Sequence, residues 1–141
     1  MTVLRRLVRY HRHLLDEKRR ALRELEERSA SIEDAITGLE TGIVDERASA
    51  AKSMDAIGAY GGFVRASLDR RDALRDDLQE AEAAVENARD DLVDMFAEVK
   101  RYEISLENQL REERKALEHR EQESLDEASL NMFRRDKEDR S

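Results

Sequence analysis

Three histidines and no cysteine limit the site chemistry open to this 141-residue chain. His11 and His13 are two residues apart, so on a helix they point to different faces and cannot share a metal ion. His119 stands four residues before Glu123, a spacing that can place two ligands on one face. It also lies among Glu118 and Glu121 in a stretch where a charged helix produces such pairs by chance, and no metal site is expected. Without cysteine there is no thiolate ligand, no thiol nucleophile and no disulfide framework. Gly58, Gly61 and Gly62 follow no strand and precede no Gly-Lys-Ser/Thr, so they do not form a phosphate-binding loop. The carboxylates are interleaved with arginine and lysine on solvated helix faces, with no enclosure to shift their proton affinity. The sequence therefore offers no catalytic residue, no metal ligand set and no cofactor site, and a non-enzymatic protein is expected.

The elements that carry these residues are read from composition and spacing. Charged residues make up 43% and aromatic residues 4%, too little bulky apolar material to fill a globular core. Proline is absent and the five glycines all fall in the first half, at 38, 42, 58, 61 and 62. From Phe63 to Ser141 nothing interrupts a helix. An all-α chain of long helices is expected, and no run of about 20 apolar residues is present to span a membrane. The amino end lacks the apolar stretch of a secretory signal, which makes the cytoplasm the expected address.

Two heptad registers run through the chain. The first follows a 4-3-4-3 spacing through Leu4, Val8, His11, Leu15, Lys18, Leu22, Leu25, Ser29, Ile32, Ile36, Leu39 and Ile43. The second runs from Ile57 through Tyr60, Val64, Ser67, Arg71, Leu74, Leu78, Ala81, Val85, Ala88, Leu92, Met95, Val99, Tyr102 and Leu106. A strict seven-residue repeat means a seam that winds left-handed around a partner helix. Past Leu106 the phase slips by one residue to Leu110 and Leu117, then to Leu125 and Ala128, as happens where a partner helix ends.

Between the registers, residues 47–56 are small and polar, and the two seams do not run through them in phase. A turn there folds the second helix back on the first, with Ser53 or Asp55 able to cap the new helix. The expected fold is a long antiparallel two-helix coiled-coil hairpin in a single domain, with helix 1 at about 3–46, a turn at about 47–56, helix 2 at about 57–135 and a frayed tail at 136–141. The alternative is one continuous helix that dimerises. Pairing residues whose numbers add to near 103 matches the seams, setting Leu25 against Leu78, Leu15 against Ala88 and Val8 against Met95. Helix 2 then overhangs from about Glu103, carrying an apolar stripe with nothing opposite.

Charge is uneven. The net charge is −8, yet the first 23 residues hold Arg5, Arg6, Arg9, Arg12, Lys18, Arg19, Arg20 and Arg23 against Asp16 and Glu17. A basic end on an acidic body speaks to partner choice. Nucleic acid is a poor partner, because apolar Leu4, Leu7, Val8, Leu14 and Leu15 interrupt the basic run and the acidic remainder repels phosphate. A basic face lying on a membrane surface has no better support. Tyr60 and Phe63, beside Gly58, Gly61 and Gly62, either simply cap the hairpin end or form the aromatic contact patch expected on the second helix.

Nearly the whole chain resembles the flagellar export protein FliJ family, whose members form the stalk of type III secretion ATPases. The resemblance rests on Leu4-Arg5-Arg6-Leu7-Val8-Arg9, on Tyr60-Gly61-Gly62-Phe63, and on three carboxyl-terminal stretches. These are Lys100-Arg101-Tyr102-Glu103, Glu121-Gln122-Glu123-Ser124-Leu125-Asp126-Glu127-Ala128 and Phe133-Arg134-Arg135. It implies a non-enzymatic central-stalk and escort component of the flagellar export apparatus. The implied partners are the hexameric export ATPase, the export gate membrane protein and export chaperones, with no nucleic acid and no direct membrane insertion. The implied location is cytoplasmic, peripheral to the inner-membrane apparatus. Carried onto this sequence, the ATPase-contacting tip comprises Arg5, Arg6, Arg9, Arg12, Leu125, Asp126, Glu127, Ala128 and Phe133, and the gate-contacting patch comprises Tyr60 and Phe63. A generic coiled-coil tether or adaptor, homodimeric in one form, is the competing reading.

Overall fold

The computed structural model describes residues 2–140, with side chains from Val3 onward. Helix α1 spans Thr2–Ala50 and helix α2 spans Met54–Asp139, and no other element occurs among the described residues. The two helices pack against each other antiparallel, an all-α hairpin.

The connection is tighter than the ten-residue turn expected from composition. α1 runs four residues further than expected, and only Ala51, Lys52 and Ser53 separate the helices. Ala48, Ala50 and Ala51 favour helix, so the absence of large apolar residues did not end it. α1 closes instead by tightened bonds: Lys52 N donates to Ser49 O and Ser53 N to Ala50 O. Ser53 then caps α2, its Oγ accepting from the Ala56 amide at 3.1 Å. That hydroxyl satisfies one of the donors a helix start leaves open, and Asp55 in the first turn complements the helix dipole. At the other end α2 continues to Asp139, through most of the stretch expected to fray; Ser141 lies outside the described residues.

The seams do what their spacing requires. Every first-register position is withdrawn from solvent except Lys18, and every second-register position except Ile57. Lys18 keeps its ammonium in water by leaving the seam, whereas His11, Ser29, Ser67 and Arg71 remain in it. Val8, Leu15, Ile36, Leu74, Ala81, Val85 and Val99 are the most buried apolar residues of the set. Small residues in α2 let the helices approach, and Ser67 and Ala81 are as buried as the larger apolar groups.

Two compact units are distinguished, one of residues 13–96 and one of 1–12 with 97–141. Within the first, Glu26 pairs with Arg89 at 3.6 Å and Glu40 with Arg75 at 3.5 Å. Within the second, Arg12 pairs with Glu103 at 3.0 Å. The numbers 26 and 89, 40 and 75, and 12 and 103 each add to 115, so these contacts lie further along α2 than the expected pairing near 103. Side chains lean toward the amino end of their own helix, so antiparallel partners meet beyond the level of their backbones. That lean accounts for the direction of the offset.

Candidate interaction surfaces

The amino-terminal turns of α1 are held on α2 by a compact polar and aromatic cluster. The His11 ring stacks on Tyr102 with centroids 4.5 Å apart and planes 14° from parallel. Tyr10 meets the same ring edge-on at 5.4 Å. His11 Nδ1 lies 4.0 Å from Glu98 Oε1. Beside this, Glu103 accepts from Arg12 Nε at 3.0 Å and from Lys100 Nζ at 3.3 Å. The hydrogen bond from Arg12, then that from Lys100, holds the Glu103 carboxyl below the usual glutamate range. Sequence reasoning placed His11 in the seam and Arg12 among the contact residues; it missed Glu98, Tyr102 and Glu103 as their partners. The sign alternation along the flank could have shown them: Arg12 faces an acid, whereas Glu26 and Glu40 face arginines. Sliding the helices by fourteen residues would set Arg12 against Arg89, so this alternation also selects the register.

Arg5, Arg6 and Arg9 are exposed, and no carboxylate among the described residues lies within ion-pair distance of them. They form an uncompensated basic patch on the first three turns of α1. Arg12, counted with them from sequence, is committed to Glu103.

Partial burial on α2 ends at Leu110, seven residues past the expected overhang, because side chains leaning toward the amino end of each helix meet beyond the level of their backbones. Every residue from 111 to 140 is exposed. Leu117, Leu125, Leu130, Met132 and Phe133 stand out as large apolar groups there, Phe133 with 67% of its surface in water. Leu125, Asp126, Glu127, Ala128 and Phe133 all sit on this bare segment. They do not cluster with the arginines: Leu125 is 22 residues beyond Glu103, roughly 33 Å along a helix. The expected tip is two surfaces, a basic collar and a bare helix.

Tyr60 is half-buried, and Phe63 is 40% exposed. They line a shallow hollow with Glu46, Ser49, Ala50, Ala56 and Ala59 near the turn. Val44, Met54 and Ile57, exposed in the same unit, add apolar surface. His119 Nε2 lies 3.5 Å from Glu123 Oε1 with both side chains largely exposed, and no group of residues able to hold a metal occurs among the described residues. No helix among them is long and apolar enough to cross a membrane.

Residues 1–138 match the family described as flagellar FliJ protein. The chain belongs to the FliJ family. That match covers both helices and the bare segment, and it makes the chain a component of the flagellar protein export apparatus. Neither the curated proteins nor the solved structures contain a match.

Proposed function

We propose that this family member is a non-enzymatic stalk of the export apparatus, working in the cytoplasm at the inner-membrane complex. Its collar and bare helix engage the hexameric export ATPase and promote the assembly and activity of the ring. The patch of Tyr60 and Phe63 contacts the export gate membrane protein, and export chaperones are escorted on the same hairpin. One observation carries the ATPase reading: α2 continues as an uncovered helix for 29 residues beyond the last partly covered position, Leu110. An element so exposed, on a hairpin stapled just behind it, is suited to enter a cavity in a larger assembly. The collar of Arg5, Arg6 and Arg9 then meets carboxylates at the entrance, raising affinity and association rate.

The test replaces Arg5, Arg6 and Arg9 with glutamate, leaving Arg12 to hold Glu103. Stimulation of the export ATPase should fall roughly tenfold or more at moderate salt. Helical content should not change, because none of the three lies in the seam. Stimulation equal to that of the unaltered protein would remove the collar from the mechanism.

A further inference from the structure

Next to the turn, the hairpin is held together more weakly than elsewhere in the unit formed by residues 13–96. Glu40–Arg75 is the cross-helix ion pair nearest the turn, and among the described residues none joins the helices between 41 and 74. Arg71 occupies the seam there, but its guanidinium pairs with Asp72 on its own helix at 3.1 Å. Between 41 and 73 only Ala50 and Ser67 are buried. Ile43, Tyr60, Val64 and Leu68 are half-buried, and Val44, Met54, Ile57 and Phe63 are exposed. No large apolar side chain in this stretch is fully removed from water. Ile36 and Leu74, within one turn of the Glu40–Arg75 pair, are buried, as are Ala81 and Val85 beyond it.

Four of the five glycines, Gly42, Gly58, Gly61 and Gly62, lie in the same stretch. None has a positive φ, and a Cβ added to any of them meets nothing within 4 Å. Neither the turn nor the helix packing requires them. Each weakens its helix about two- to fivefold relative to alanine, on the order of a hundredfold for the four together. Thin burial, absent cross-links and costly glycines thus coincide in one continuous end of the hairpin.

We propose that residues 41–73 open as a unit of their own. The helices part there and close again while Glu40–Arg75 and the seam beyond it stay in place. Opening frees Ile43, Tyr60 and Val64 and adds them to the apolar surface already exposed. A partner that binds this end selects the closed or the open form, and the glycines set how much of each is present. The opening does not depend on that partner being the export gate.

Native-state hydrogen exchange on the full chain, followed by mass spectrometry in low urea, tests the proposal. Amides at 42–68 should exchange about a hundredfold or more faster than those at 78–92. Their rates should change little with urea, because a local opening exposes little surface, whereas rates at 78–92 should rise steeply. Val85→Ala should speed exchange at 78–92 roughly tenfold or more and leave 42–68 within about twofold. Gly58→Ala with Gly61→Ala should slow exchange at 42–68 by about five- to twentyfold. Equal rates and equal urea dependence in the unaltered protein would mean one cooperative hairpin and overturn the proposal. So would a Val85→Ala variant that speeds both stretches alike, or an alanine pair that leaves 42–68 unchanged.

Discussion

Arg12 on the third turn of α1 and Glu103 on α2 are joined by a 3.0 Å hydrogen-bonded ion pair across ninety-one residues of sequence. It fastens the start of α1 beside the His11–Tyr102 stack, the two contacts being made by consecutive residues on each helix. Lys100 supports the same carboxylate from one turn back on α2.

The pair has a pH signature. Glu103 is ionised more readily in the folded chain than in the unfolded one, because Arg12 and then Lys100 donate to its charged form. A depressed carboxylate contributes stability that is fully present above the unfolded glutamate pKa. It is lost as pH falls through the lower folded value, so the effect appears only in acid. A carboxyl-selective NMR titration should show Glu103 protonating below the usual glutamate range. In Arg12→Ala its midpoint should rise toward that range, with Lys100 retaining part of the shift. A midpoint unaffected by Arg12→Ala would show that the ion pair does not form.

Val99 and Val93 stand six residues apart on α2 with opposite surroundings. Val99 is 2% exposed and Val93 is 67% exposed. Val99→Ala removes two methyl carbons from the seam and should cost about 1–3 kcal/mol in thermal or denaturant unfolding. Val93→Ala removes the same atoms from water and gains helix propensity, so it should lie within about 0.5 kcal/mol of the parent. Equal losses at the two positions would mean that a second copy or another partner covers the outer face of α2 in solution.

The two seams were legible because a seven-residue repeat can be satisfied only by a partner helix, and every position of both registers but Lys18 and Ile57 is withdrawn from water. Lys18 illustrates the limit. A side chain with a long stem can occupy a seam position in sequence and still carry its charge outward. The turn was placed but not bounded, since Ala48–Ala51 continue a helix as readily as they leave one, and only the Ser53 cap decides where α2 begins. The side-chain register was less legible for a related reason. Apolar spacing repeats every seven residues and tolerates displacement, whereas Arg12–Glu103, Glu26–Arg89 and Glu40–Arg75 fix one alignment. The arginines and residues 125–133 form two surfaces and not one because Leu125 lies 22 residues past Glu103, the partner of Arg12, a separation that apolar spacing alone does not reveal.

The last prediction concerns the aromatic patch near the turn. Gly61 and Gly62 lie inside α2 with ordinary helical backbone, and a Cβ added to either meets nothing within 4 Å. Neither turn geometry nor close packing within this chain requires glycine there. Alanine at either position should therefore raise helix stability by about 0.5–1 kcal/mol, read as a higher Tm. If Tyr60 and Phe63 dock on the export gate, the bare backbone between them lets that partner approach closely. Gly61→Ala with Gly62→Ala should then weaken binding to the gate's cytoplasmic portion while stabilising the isolated hairpin, a separation that unfolding of the patch cannot produce. Tyr60→Ala with Phe63→Ala should lower the same binding by about tenfold or more, the scale of losing buried aromatic anchors. ATPase stimulation should persist in both variants, because the collar and the bare helix belong to the other unit of the chain. Gate binding that survives both double substitutions would remove this patch from the gate contact and leave its exposed Phe63 for another partner.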